Sequence, residues 1–187
     1  CDYIVFDFLA EVTMSILAGA KLKKKELGFA TDFVKMISPY LKEIKEKRIK
    51  IISNAGGINL HSCQEAIKKI CQEAGVDLSI GIVEGDNLIG EKDLLEKGNF
   101  KEIDSLKPLP ENLLSVNAYL GAPGISKALK EGADIVVTGR IVDSALALGP
   151  LVYEFNWDYS DFDLLASGSL AGHIIECGAH ATGGNFT

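Results

Sequence analysis

The stretch HIIECGAHATGGNFT at residues 173–187 gathers two of the three histidines with a cysteine, a glutamate and two threonines. A helix over 170–178 sets His173, Glu176 and Cys177 on one face, since three and four residues make about one turn. A histidine beside a carboxylate holds one imidazole tautomer for proton transfer, and the same pair can ligate metal. The plainer reading is a histidine satisfied by a local glutamate, with Cys177 in the core. Both stand. The HATGGN that follows offers hydroxyl, amide and glycine N–H groups suited to an oxyanion.

A second set of chemistry-bearing residues lies at the ends of short apolar runs. YIVFDF carries Asp7 near its end and is followed by Glu11, and IKIIS is followed by Asn54, Gly56, Gly57 and Asn59. LSIGIVEG leads to Glu84, Asp86 and Asn87, SVNAYLG contains Asn117 and Tyr119, and DIVVTG leads to Thr138, Arg140 and Asp143. Asn54-Ala-Gly-Gly is a turn that tolerates positive φ, or else a nest of N–H groups for phosphate or carboxylate. Asp143 suits an N-cap. Arg140 demands an anion, supplied by Asp7, Glu11 or Glu84 or by a ligand. Glu84 and Asp86 make too weak a pair to indicate a metal.

These residues need elements to hold them. Strands are expected at 3–8, 49–53, 78–85 and 134–139, with a shorter one at 115–121. Helices are expected at 11–22, 31–47 and 61–75, the last closed by Gly75, then over ISKALKEGA and over SALALGPLVYEF with a break near Gly149-Pro150. The polar segment 90–113, with Pro108 and Pro110, reads as a long surface excursion. Uniformly apolar strands separated by helices predict an α/β fold, a mainly parallel sheet covered on both faces. The uneven strand spacing favours an open, doubly wound sheet over a closed barrel. Ligands of such sheets bind outside the carboxyl ends of the strands, where the polar clusters fall.

At 187 residues and 47% hydrophobic, the chain suits one domain. Its net charge of −7 is wrong for nucleic acid, and no apolar run is long enough to span a membrane. The cysteines at 1, 63, 71 and 177 form no CxxC pair, so neither a zinc knuckle nor a redox motif is expected. A reducing, cytoplasmic setting follows. The chain opens CDYIVFDF without an initiator Met.

Six ordered blocks resemble the acyclic terpene utilisation (AtuA-like) family: DFLAEVTM at 7–14, SNAGGIN at 53–59, VEGDNL at 83–88, NAYLGA at 117–122, GADIVVTGRIVDSALALGPL at 132–151 and AGHIIECGAHATGGNF at 171–186. The resemblance covers essentially the whole chain. It implies a piece of a longer protein, with a Gly-rich strand unit before the first block and further sequence after the last. It also implies catabolism of citronellol- and geraniol-type compounds through CoA thioesters. His180 stands where the family motif usually has Gln, which argues against an essential role for it. His61 reads as a surface helix residue.

The expected function is an enzyme acting on a small acyl or acyl-CoA substrate. Glu11, His173 and Glu176 are its candidate acid/base groups. Asn54, Gly56, Gly57, Asn117, Arg140 and Asp143 are its candidate substrate contacts. The alternative is a non-catalytic subunit whose polar blocks shape turns and an interface. No cofactor is identified, and homo-oligomerisation is expected from apolar surface left uncovered.

Overall fold

The computed structural model describes residues 1–183. Four strands, β1 (Tyr3–Phe6), β2 (Lys50–Ser53), β3 (Ile80–Val83) and β4 (Ile135–Thr138), form an all-parallel sheet in the order β1-β2-β4-β3. The sheet is open, as its spacing predicted. Helices α1 (Glu11–Lys23), α2 (Thr31–Ile37) and α3 (Leu41–Glu46) connect β1 to β2, and α4 (Leu60–Ala74) connects β2 to β3. After β3 come α5 (Lys92–Lys97) and α6 (Pro123–Lys130); after β4 come α7 (Ala145–Glu154) and α8 (Phe162–Glu176).

Alternate strand residues feed two cores. Ile51, Ile135 and Val137 pack with Phe33, Ile37, Leu41 and Ile67 of α2–α4 on one face. Ile52 and Val136 pack with Ile125 and Leu129 of α6 and Leu146 of α7 on the other. Four-residue strands apolar at nearly every position are what a doubly covered parallel sheet requires. Because α4 leaves β2 toward one face and α7 leaves β4 toward the other, the loops after these adjacent strands diverge. Such a switch point at the carboxyl ends is the usual ligand position of open α/β sheets.

Several expectations need correction. Segment 115–121 is no strand, contributing only isolated bridges from Asn117 to Asn87 and from Leu120 to Ile141. The helix expected over 31–47 is split by a 3-10 turn at Ser38–Tyr40, where Pro39 cannot donate into a continuous α-helix. In contrast α7 runs unbroken through Pro150. α8 begins at Phe162, well before the expected start, on an Asp161 cap that accepts from Leu164 N–H at 3.3 Å. Among the described residues no helix is long and apolar enough to cross a membrane.

Candidate functional site

The β2–α4 turn sits against the end of β4. Gly56 N–H donates to Thr138 C=O at 3.1 Å, and a Cβ on Gly56 would lie 2.6 Å from that oxygen, so only glycine permits the approach. Gly57 adopts φ +53° and donates to Asn54 C=O, while Ala55 N–H donates to Ser53 Oγ. The turn's amides are thus used inside the protein, which describes a tight turn; the phosphate nest also open from sequence is not formed. Buried Asn54 donates to Asp7 Oδ1 at 2.6 Å and accepts from Phe8 N–H at 2.7 Å, tying β1's exit loop to β2.

Arg140 lies two residues past β4 and is 2% exposed. Its Nη1 donates to Leu9 C=O and, at 2.9 Å, to Asp143 Oδ1; its Nη2 donates to Glu11 Oε1 at 3.0 Å and to Tyr119 Oη at 2.9 Å. The anion that Arg140 demands is therefore Glu11 together with Asp143. Asp7 is engaged by Asn54, and Glu84 pairs with exposed His61 at 2.9 Å. Asp143 does not cap α7: Ser144 takes the cap position, and no side chain caps that helix. The backbone N–H of Arg140 donates to Asp86 Oδ2, which also accepts from Asn117 Nδ2, both at 2.8 Å. Asn117 thus holds the acid that holds the strand end.

A cleft of about 890 Å³ lies beside β1 beneath α7 and α8. Val5, Leu146, Pro150, Leu151, Phe155 and Ile175 supply apolar walls, and Asp7, Asp143 and Glu176 lie among its lining. Oxygens of these three acids come within 4.8 Å of one another. They form the hard oxygen set that a divalent cation accepts, though acids also gather without one. α8 reaches this position because Gly172 packs on Ser144, whose carbonyl would be 2.5 Å from a Cβ there.

Electrostatics divide the candidate acids. Burial, then nearby Asp143, pushes the Glu176 carboxyl above its ordinary range, with His173 pulling the other way. Burial and neighbouring Asp7 likewise raise Asp143, against the opposing pull of Arg140. Glu11 moves down, because Tyr119 Oη–H donates to it and Arg140 lies alongside. His173 Nδ1 stands 3.2 Å from Glu176 Oε1 on an otherwise exposed ring. Glu176 Oε2 is buried without a hydrogen-bond partner, as is Arg140 Nε. Cys177 is exposed, outside the core. His180 is exposed too, and the Gly184-Asn185 part of the terminal turn lies outside the described residues.

The structure therefore brings Glu176 and Asp143 to one cleft, with His173 behind Glu176. It gathers Glu11 and Arg140 in a neighbouring ionic cluster, and buries Asn54, Gly56 and Gly57 beneath them. Asp7, Tyr119 and Asp86 matter more than their sequence positions suggested, although each stood at a strand end or in the loop beside one. No curated protein and no solved structure matches the chain significantly. The family model for the acyclic terpene utilisation family protein AtuA matches residues 1–187, so the chain belongs to that family, and its membership supports a role in acyclic terpene utilisation.

Proposed function

We propose that the protein is an enzyme of acyclic terpene utilisation that performs proton transfer on a branched acyl or acyl-thioester group held in the cleft beside β1. One observation carries this reading: an apolar cleft of about 890 Å³ whose lining includes carboxyls with raised pKa values. Small-molecule pockets fall at about 300–1,000 Å³, mostly apolar with a few convergent polar groups. The acyl chain lies along Leu146, Leu151 and Ile175. Glu176 transfers the proton through Oε2, the buried oxygen without a partner. A carboxyl tuned upward toward neutrality is suited to that task. His173 Nδ1 bonds the other oxygen and orients the group. Asn54, Gly56, Gly57 and Asn117 fix the strand ends from within, and Arg140 holds Asp143 in place.

Two measurements test this. Thermal shift against branched acyl-CoAs such as citronellyl-CoA should show stabilisation, weakened by Leu151→Trp, a half-buried wall position that fills the cleft. Deuterium wash-in at the carbon next to the thioester carbonyl, followed by NMR, should be lost in Glu176→Gln while binding persists. Stabilisation by a co-purifying protein and by no thioester would favour the non-catalytic subunit instead.

A further inference from the structure

Two walls of the cleft run antiparallel to each other. β1 and its exit supply Tyr3, Val5 and Asp7, alternate residues that all line it. α7 supplies Leu146, Pro150 and Glu154, spaced one turn apart on one helix face. At the carboxyl end of β1 stand the acids, with oxygens of Asp7, Asp143 and Glu176 within 4.8 Å of one another. At the amino end Tyr3 Oη donates to Glu154 Oε1 at 2.6 Å, a bond that crosses from strand to helix and ties the two walls together. Burial and the Glu154 carboxylate raise the pKa of the Tyr3 hydroxyl, so it keeps the proton it donates.

The separation of the two ends follows from either wall. From Tyr3 to Asp7 an extended strand rises about 13 Å. From Leu146 to Glu154 a helix rises about 12 Å. The lining between is apolar: Val5, Leu146, Pro150, Leu151 and Ile175. Around Tyr3 it turns ionic, with Arg48 and Lys50. An alkyl chain that passes Tyr3 must break its bond to Glu154 and desolvate charges that it cannot bond in return.

We propose that Tyr3 and Glu154 set the chain length of the acyl group, admitting chains of up to about ten carbons and rejecting longer ones. This inference rests on the acyl reading of the cleft and deepens it. An extended chain advances about 1.2 Å per bond, since a residue of three backbone bonds spans about 3.6 Å. About ten such bonds fill the roughly 12 Å between the acids and Tyr3. The thioester carbonyl stays beside Glu176, and the far end of the chain stops against the tyrosine ring. Tyr3 and Glu154 thus determine specificity without touching a reacting atom.

Isothermal titration calorimetry of the 187-residue chain with hexanoyl-, octanoyl-, decanoyl-, dodecanoyl- and tetradecanoyl-CoA tests it. Affinity should rise up to decanoyl-CoA as each methylene is buried, then fall by about tenfold at tetradecanoyl-CoA. Tyr3→Ala removes the stop. Tetradecanoyl-CoA should then bind about tenfold tighter than it binds the parent, and hexanoyl-CoA as before. Glu154→Ala changes an exposed position and leaves β1 intact, yet it releases the tyrosine ring and should move the optimum the same way. Glu154→Gln keeps an acceptor for Tyr3 and should keep the parent's optimum. A merely structural role would weaken binding at every length alike. That result, or a parent whose affinity still rises at tetradecanoyl-CoA, would overturn this proposal and leave the acyl reading standing. No binding at any length would remove both.

Discussion

The guanidinium of Arg140 lies over the ring of Tyr119, with Cζ 4.2 Å from the centroid, and the hydroxyl of the same tyrosine joins Arg140 to Glu11. Tyr119 belongs to the loop before α6, Glu11 opens α1, and Arg140 follows β4. Three segments distant in sequence are thus pinned at one point above the sheet. The arrangement uses both terminal nitrogens of the planar fork: two bonds from Nη1, two from Nη2, and a cation–π face. A lysine offers a point charge and none of this geometry.

Arg140→Lys is accordingly expected to lower stability far more than it lowers affinity for any thioester. Replacing the fork by an ammonium keeps the charge but cannot bond Leu9 C=O, Asp143, Glu11 and Tyr119 together, a loss on the order of 3 kcal/mol. Urea denaturation should show a lower midpoint at unchanged slope. A normal midpoint with lost ligand binding would instead make Arg140 a ligand contact.

Much of this was legible in the sequence, for physical reasons that differ from residue to residue. DIVVTG declares β4 because three successive β-branched apolar residues suit a strand buried on both faces, and Arg140 follows two residues beyond it. The role of Asp143 was hidden: Asp before a helix suits a cap, but the nearby guanidinium competes for the same carboxylate and wins. The meeting of Glu176 with Asp7 and Asp143 is a tertiary event no local pattern encodes. Its one local trace is the spacing of Gly168 and Gly172 on α8. A Cβ at the first would strike Leu148 and Trp157, and at the second Ser144, so small residues one turn apart mark where α8 presses on α7 and its approach. Segment 115–121 misled because its alternation resembles a strand, whereas Asn117 and Tyr119 direct their polar groups to Asp86 and Arg140.

Two alanine substitutions should move stability in opposite directions. At Gly56 a methyl group collides with the Thr138 carbonyl, part of β4 backbone that cannot yield without disturbing the sheet. Gly56→Ala should cost more than about 2 kcal/mol. Gly19 lies inside α1 with nothing within 4 Å of a Cβ, so Gly19→Ala should stabilise by up to about 1 kcal/mol through helix propensity. Equal effects in thermal melts would show that the close approach at Gly56 is not rigid.

Self-association is expected through α8. Leu170, Ile174 and Ile175 are each at least half exposed on a helix whose other side packs on α7. Exposed apolar surface of this kind favours association. Size-exclusion chromatography should give species larger than a monomer at high concentration, shifting toward monomer in Leu170→Lys with Ile174→Glu. A parent protein that elutes as a monomer throughout would remove the premise.

Glu176→Gln should raise stability near neutral pH while removing proton transfer. The sign follows from the direction of the shift. The folded protein raises the pKa of Glu176, so between the ordinary carboxyl value and the raised one the native state binds more protons than the unfolded state. Stability from this group is therefore fullest below the ordinary carboxyl range and is lost as pH rises through the raised value. Glutamine keeps the shape without the charge, so the variant escapes that loss. Its melting temperature should exceed the parent's by a few degrees near pH 7, and the gap should close near pH 4, where the parent's carboxyl is also neutral. Asp143 shifts in the same direction, so part of the parent's pH dependence should survive the substitution. A gap that widens toward acid would mean that ionised Glu176 stabilises the fold, which would remove Glu176 as the neutral acid of the cleft.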